Sequence, residues 1–179
     1  EVFNFTEQLL AELKGEYELA TKDGKVALNP GFSINPIPFL TKVKDQVRFQ
    51  KIFGSDTASC GFETGDGLLI KRTPRLELIQ LGTTEYEVNY PIVPTIMTVY
   101  RGYSWADIKV DQVPTRFVTT HLESLWDENV IPNSAKQAKQ LIDDLSNTKM
   151  PIIVMGDFNS DPRDPRPKND PNPGEQPVA

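Results

Sequence analysis

Met150-Pro151-Ile152-Ile153-Val154-Met155-Gly156-Asp157-Phe158-Asn159-Ser160-Asp161-Pro162 is the stretch on which the reading of this chain turns. It opens with a short apolar run, rich in β-branched residues and led in by a proline, which predicts a buried strand. Gly156, Asp157 and Asn159 follow, so a carboxylate and a carboxamide fall where the strand leaves its sheet. Open α/β sheets hold their ligands at such strand ends. Taken alone, Gly-Asp-Phe-Asn reads equally well as the turn that closes a strand.

Working outward, Thr115-Arg116-Phe117-Val118-Thr119-Thr120 forms a second strand-like run, ending in His121-Leu122-Glu123. Between the two runs, Asn133-Ser134 opens a helix. Ala135, Ala138, Leu141, Ile142 and Leu145 supply its expected buried stripe. Upstream, Ile96–Tyr103 and the alternating Trp105–Val110 predict strands. Asp111-Gln112-Val113-Pro114 supplies a turn into 115–120. The predicted meander therefore delivers His121 at the end of its last strand.

The order strand, Thr-His-Leu-Glu, helix, apolar strand, Gly-Asp-Phe-Asn resembles the endonuclease/exonuclease/phosphatase superfamily of metal-dependent phosphoesterases, most strongly over residues 96–162. The resemblance implies an α/β (α+β) fold: a two-sheet β-sandwich flanked by helices, four-layered and DNase I-like, here incomplete. It implies hydrolysis of a phosphoester, small-molecule or nucleic-acid, with Mg²⁺ or Mn²⁺. By motif position, Asp157 would orient or deprotonate the attacking water. Asn159 would donate amide hydrogens to a phosphoryl oxygen, and His121 would lie beside the phosphate. Glu1 and Asp157 would be the metal carboxylates, Glu1-Val2 standing as the end of the family's Gln-Glu-Val. Arg101 is expected to be a surface or sheet-end arginine, and Glu123 and Asp161 to cap or solvate loops. Gln137 or Gln140, where the family often carries a glutamine in this helix, is expected to be a structural support.

The sequence also departs from that pattern. The family closes with Ser-Asp-His, yet His121 is the only histidine here. The asparagine-bearing first strand is missing as well. The expectation is a truncated portion of such an enzyme, with residues 1–160 a partial domain and 161–179 a Pro-rich loop or disordered tail. The alternative is a non-catalytic module that binds a phosphate ester without the terminal Ser-Asp-His.

Elsewhere the sequence is plainer. Asn4 and Glu7 form a capping-box-like pair ahead of Phe5, Leu9, Leu10 and Leu13, and Gly15 is set to end that helix. Tyr17–Ala20 predicts a short strand. Pro30, Pro36 and Pro38 predict a long surface excursion from Val26 to Cys60. Thr64-Gly65-Asp66-Gly67 predicts a turn before a strand at 68–72, and Leu76–Leu81 a further strand. Residues 160–179 hold six of the fifteen prolines. A hydrophobic content of 38% and a charged content of 25% suit one globular domain. One cysteine excludes an internal disulfide. A net charge of −6 argues against a basic nucleic-acid-binding surface, but it leaves metal-assisted phosphoester chemistry open.

Overall fold

The computed structural model describes residues 4–40, 50–51, 54, 57–93, 97–124 and 131–160. Glu1, Asp161 and the Pro-rich stretch 161–179 lie outside the described residues. Among the described residues, the following elements run in chain order. They are α1 (Phe5–Glu12), β1 (Tyr17–Leu19), β2 (Thr21–Lys22), β3 (Lys25–Val26), β4 (Leu28–Leu40), β5 (Thr57–Gly67), β6 (Leu69–Lys71) and β7 (Leu76–Glu85). β8 (Tyr90–Val93), β9 (Met97–Val99), β10 (Gly102–Val110), β11 (Val113–His121), α2 (Asn133–Leu145) and β12 (Ile152–Asp157) follow.

The fold is α/β and mostly sheet, with two four-stranded sheets ordered β12-β11-β10-β7 and β5-β4-β9-β8. Among the described residues, the pairs β1-β6 and β2-β3 accompany them. β10 and β11 form a hairpin across Asp111-Gln112, both at positive φ, so the turn carries the twist that two-residue hairpins favour. β12 then joins β11 in parallel, which requires a crossover, and α2 provides it.

The first sheet is covered on both faces. On one, Leu81, Ala106 and Ile108 pack against Ala20, Ala27 and Leu68. Those last three sit in the breaks between successive strands and hydrogen-bond one another through the backbone: Ala20 N–H to Leu68 O, Ala27 N–H to Ala20 O and Leu68 N–H to Ala27 O. On the other face Tyr86, Tyr103, Val118 and Leu122 pack against Leu141 and Leu145 of α2. Tyr103 OH also donates to Asp144 Oδ2 at 2.9 Å, tying the helix down. Beneath the C-terminal turn of α2, Arg116 makes a two-pronged contact with the fully buried Asp107, at 2.6 and 2.8 Å, and stacks over Trp105.

Four expectations need correction. The stretch from Val26 to Cys60 is not a surface excursion throughout, because β4 runs from Leu28 to Leu40 and pairs with β5. Its register slips between Pro30 and Ser33 and between Ile34 and Ile37, irregularities that let prolines sit in a strand. Asp66 is a strand residue opposite Asn29 rather than a turn residue. Ile142 lies outside the buried stripe of α2, 68% exposed, because it is about 100° round the helix from Leu141. Gln137 takes the buried position instead. Lastly, β12 is not buried on both sides. Among the described residues it pairs only with β11, and Ile153, Val154 and Met155 are exposed.

α1 begins where expected, with Asn4 Oδ1 accepting from Glu7 N–H at 3.1 Å. Lys14 and Gly15, both at positive φ, end it. None of its residues is buried, so Phe5 and Leu9 present an apolar face to solvent.

Candidate active site

The parallel pairing of β11 with β12 sets His121 directly opposite Asp157, each the last residue of its strand. Paired residues of parallel neighbours project to the same side of a sheet. His121 Nε2 accordingly lies 3.8 Å from Asp157 Oδ2. That is an electrostatic contact and too long for a hydrogen bond, with room for a shared oxygen atom to sit against both. The Asp157 side chain is 62% exposed and that of His121 34%, so both are reachable from solvent.

Asn159 turns back onto this pair. Its backbone N–H donates to Asp157 Oδ1 at 2.9 Å, so one carboxylate oxygen is fixed and Oδ2 is left toward His121. Its φ is +47°, a left-handed conformation that asparagine accepts more readily than most residues. The side chain is buried, and Nδ2 donates to Leu122 O at 2.7 Å. Leu122 N–H in turn donates to Asp157 O at 3.0 Å. The two strand ends are thus stitched together by the residues that carry the motif.

Gly156 explains how the strands come so close. Its φ is +135°, and a Cβ there would sit 1.8 Å from Thr120 O. Only glycine fits. Thr120 is clamped from the other side. Its hydroxyl donates to Gly102 O at 2.8 Å, so the 2.7 Å contact with Tyr86 is a bond donated by the phenol. Burial pushes the Tyr86 phenol up to about 12, outweighing the lowering effect of the Thr120 contact, with Tyr103 and Asp144 adding to the rise. Tyr86 is therefore a neutral donor across the physiological range.

Arg101, one residue before β10, reaches the same sheet end. Its Nη2 lies 3.5 Å from Glu123 Oε1, and the Glu123 side chain has no exposed surface. Glu123 is therefore not a solvated loop residue but half of a buried ion pair, while its Oε1 also caps the local loop by accepting from Ser124 N–H. Gln137 and Gln140 are both supports: Gln137 bonds Glu123 N–H and Val88 O, and Gln140 accepts from Glu87 N–H.

Of the residues singled out from sequence, His121, Asp157 and Asn159 are brought together, whereas Glu1 lies outside the described residues. Among the described residues no group of three or more His, Cys, Asp or Glu side chains is arranged around a metal position. Asp157 supplies the one carboxylate of the expected pair that can be located. Tyr86 and the pairing of Arg101 with Glu123 were not legible, because each depends on a partner 34 or 22 residues away. Only the Gly before Asp157 carried a local sign of close approach.

The sequence pattern of the Endonuclease/Exonuclease/phosphatase family matches residues 87–177, just over half of the chain and a span that includes His121, Asp157 and Asn159. No curated protein sequence matches significantly. Among solved structures, the human Nocturnin catalytic domain with a bound sulfate anion is 16% identical, with a TM-score of 0.41, covering 90% of this chain and 48% of that one. A Danio rerio TDP2 humanized by 14 mutations is 16% identical, with a TM-score of 0.37, covering 88% of this chain and 55% of the other. A D. rerio TDP2 complexed with single-strand DNA product is 14% identical, with a TM-score of 0.37, covering 88% and 53%. The chain spans about half the length of these structures.

Proposed function

Because the chain belongs to the endonuclease/exonuclease/phosphatase family, whose members are generally metal-dependent phosphoesterases, we propose that it carries the water-activating part of a phosphoester hydrolase site. Asp157, His121 and Asn159 are its working residues. The observation that supports this reading is the parallel register that sets His121 against Asp157, with Asn159 turned back between the strand ends.

Phosphoester hydrolysis requires an oriented, deprotonated water and compensation of the charge spread over the phosphoryl oxygens. Asp157 Oδ1 is already engaged by Asn159 N–H, so Oδ2 is the atom that takes the proton from water. A phosphoryl oxygen seated beside Oδ2 lies within reach of the His121 ring, which donates to it through Nε2. Asn159 spends one amide hydrogen on Leu122 O. The second is its donor to the phosphoryl group, and burial of the side chain makes that donor rigid.

Mg²⁺ or Mn²⁺ fits this donor set. Asp157 offers an exposed carboxylate, and Glu1 is the proposed second carboxylate. When bound, the cation supplies charge neutralisation on the phosphoryl oxygens.

The test is Mg²⁺-dependent hydrolysis of bis(p-nitrophenyl) phosphate by the intact protein. Asp157→Ala should lower kcat by about 10²–10⁴-fold, the range typical of a general base. Turnover that survives the substitution refutes the assignment. A second reading, a phosphate-ester-binding module, uses the same His121 and Asn159 donors without Asp157 acting as a base. It predicts phosphate-ester binding without turnover in the same assay.

A further inference from the structure

Residues 122–124, directly after His121, have no regular secondary structure, yet successive backbone groups are tied down. Leu122 exchanges bonds with Asp157 O and Asn159 Nδ2. Glu123 N–H donates to Gln137 Oε1 at 2.8 Å, and Ser124 N–H donates to Glu123 Oε1 at 2.9 Å. Gln137, itself fully buried on α2, passes its amide on to Val88 O at 2.9 Å. Arg101 faces the Glu123 carboxylate with a side chain only 16% exposed. It is anchored too, its N–H donating to Asn89 Oδ1 at 2.9 Å and its carbonyl accepting from Tyr86 N–H at 2.9 Å.

A buried ion pair is a poor way to gain stability, since well-packed apolar residues of similar volume often do as well or better. What the charged pair adds here is direction. The carboxylate must face Arg101 while Glu123 N–H faces Gln137, which fixes the backbone two residues past His121 from both sides. β11 ends at His121, so the ring's orientation depends on how the next residues are held.

We propose that Glu123, held by Arg101 and Gln137, is a positioning residue that fixes His121 against Asp157. The proposal rests on the hydrolase reading for its kinetic consequence but not for its structural one. Misplacing a reacting group by about 1 Å is enough to lower a rate roughly 100-fold.

Three variants of the intact protein test it: Glu123→Gln, Gln137→Met, and the double apolar replacement Arg101→Met with Glu123→Leu. Each is followed by thermal unfolding, by kcat and KM for bis(p-nitrophenyl) phosphate with Mg²⁺, and by the His121 ring proton resonance, assigned through its loss in His121→Gln. Glu123→Gln should lower kcat by about 100-fold with KM unchanged, and broaden or displace the His121 resonance. The double variant should regain wild-type thermal stability while keeping both defects, which a purely structural pair would not do. Gln137→Met should show the same pattern with the ion pair intact, and it serves if the double variant fails to fold. A stable double variant or Gln137→Met with wild-type kcat and an unmoved His121 resonance overturns the proposal. If Asp157→Ala leaves turnover intact, the hydrolase reading fails instead, and the His121 resonance alone decides: displaced in these variants it supports positioning, unmoved it overturns it.

Discussion

Replacing Gly156 by alanine should separate the two strands that build the site. A Cβ at this position would lie 1.8 Å from Thr120 O and 2.9 Å from Thr120 C, both backbone atoms that no rotamer change can move. Relief requires β11 and β12 to part by more than about 1 Å, since non-bonded carbon contacts favour roughly 3.5–4.0 Å. The φ of +135° adds strain, because a residue with a Cβ held in such a region costs of order 1–3 kcal/mol. Loss or lengthening of one strand-end hydrogen bond adds about 1 kcal/mol. Together these give roughly 2–4 kcal/mol, which for a domain of this size lowers Tm by about 4–16 °C. The local effect should be larger than the global one, because Asp157 is the next residue and its partner His121 follows Thr120. Differential scanning calorimetry on the Gly156→Ala protein reads the first effect, and phosphodiester turnover in the same preparation the second. A variant that melts with the wild type and turns over normally would refute the close approach of Gly156 to Thr120, and with it the argument that the site depends on glycine there.

Two other predictions concern the polar groups behind the site. Tyr86→Phe should be mild, about 1 kcal/mol, because Thr120 keeps its bond to Gly102 O. Thr120→Val should cost about 1–3 kcal/mol, because it strands the buried Tyr86 hydroxyl, and denaturant titrations of the pair should give that order. For Asp107, burial pushes the carboxyl up, but the hydrogen bonds from Arg116 and Gln80, together with the Arg116 charge, outweigh it and hold the group below the ordinary range. Its stabilising contribution is therefore fully present above the unfolded-state value of about 3.9 and is lost as pH falls through the lower folded value. Unfolding free energies measured from pH 6 down to pH 2 should fall less steeply in Asp107→Asn than in the wild type.

The sequence by itself determined the local elements that depend on local physics. The Asn4 cap, the Asp111-Gln112 turn and the helical spacing of α2 were legible because caps, turns and amphipathic periods are written within a few residues. The motif residues at the ends of β11 and β12 were legible for the same reason, since each follows its own apolar run. What only the tertiary structure decided are the facts that depend on which strand lies beside which. β4 is a strand despite Pro30, Pro36 and Pro38, because pairing with β5 and breaks in register override the local signal. The apolar run of β12 borders solvent, because burial is set by neighbours and, among the described residues, β12 has only one. The opposition of His121 and Asp157 follows from a parallel register, and a slip of one residue would have turned one of them to the other face. The Arg101–Glu123 pair, held by a glutamine from α2, joins residues 22 and 14 positions apart, further than any local pattern spans.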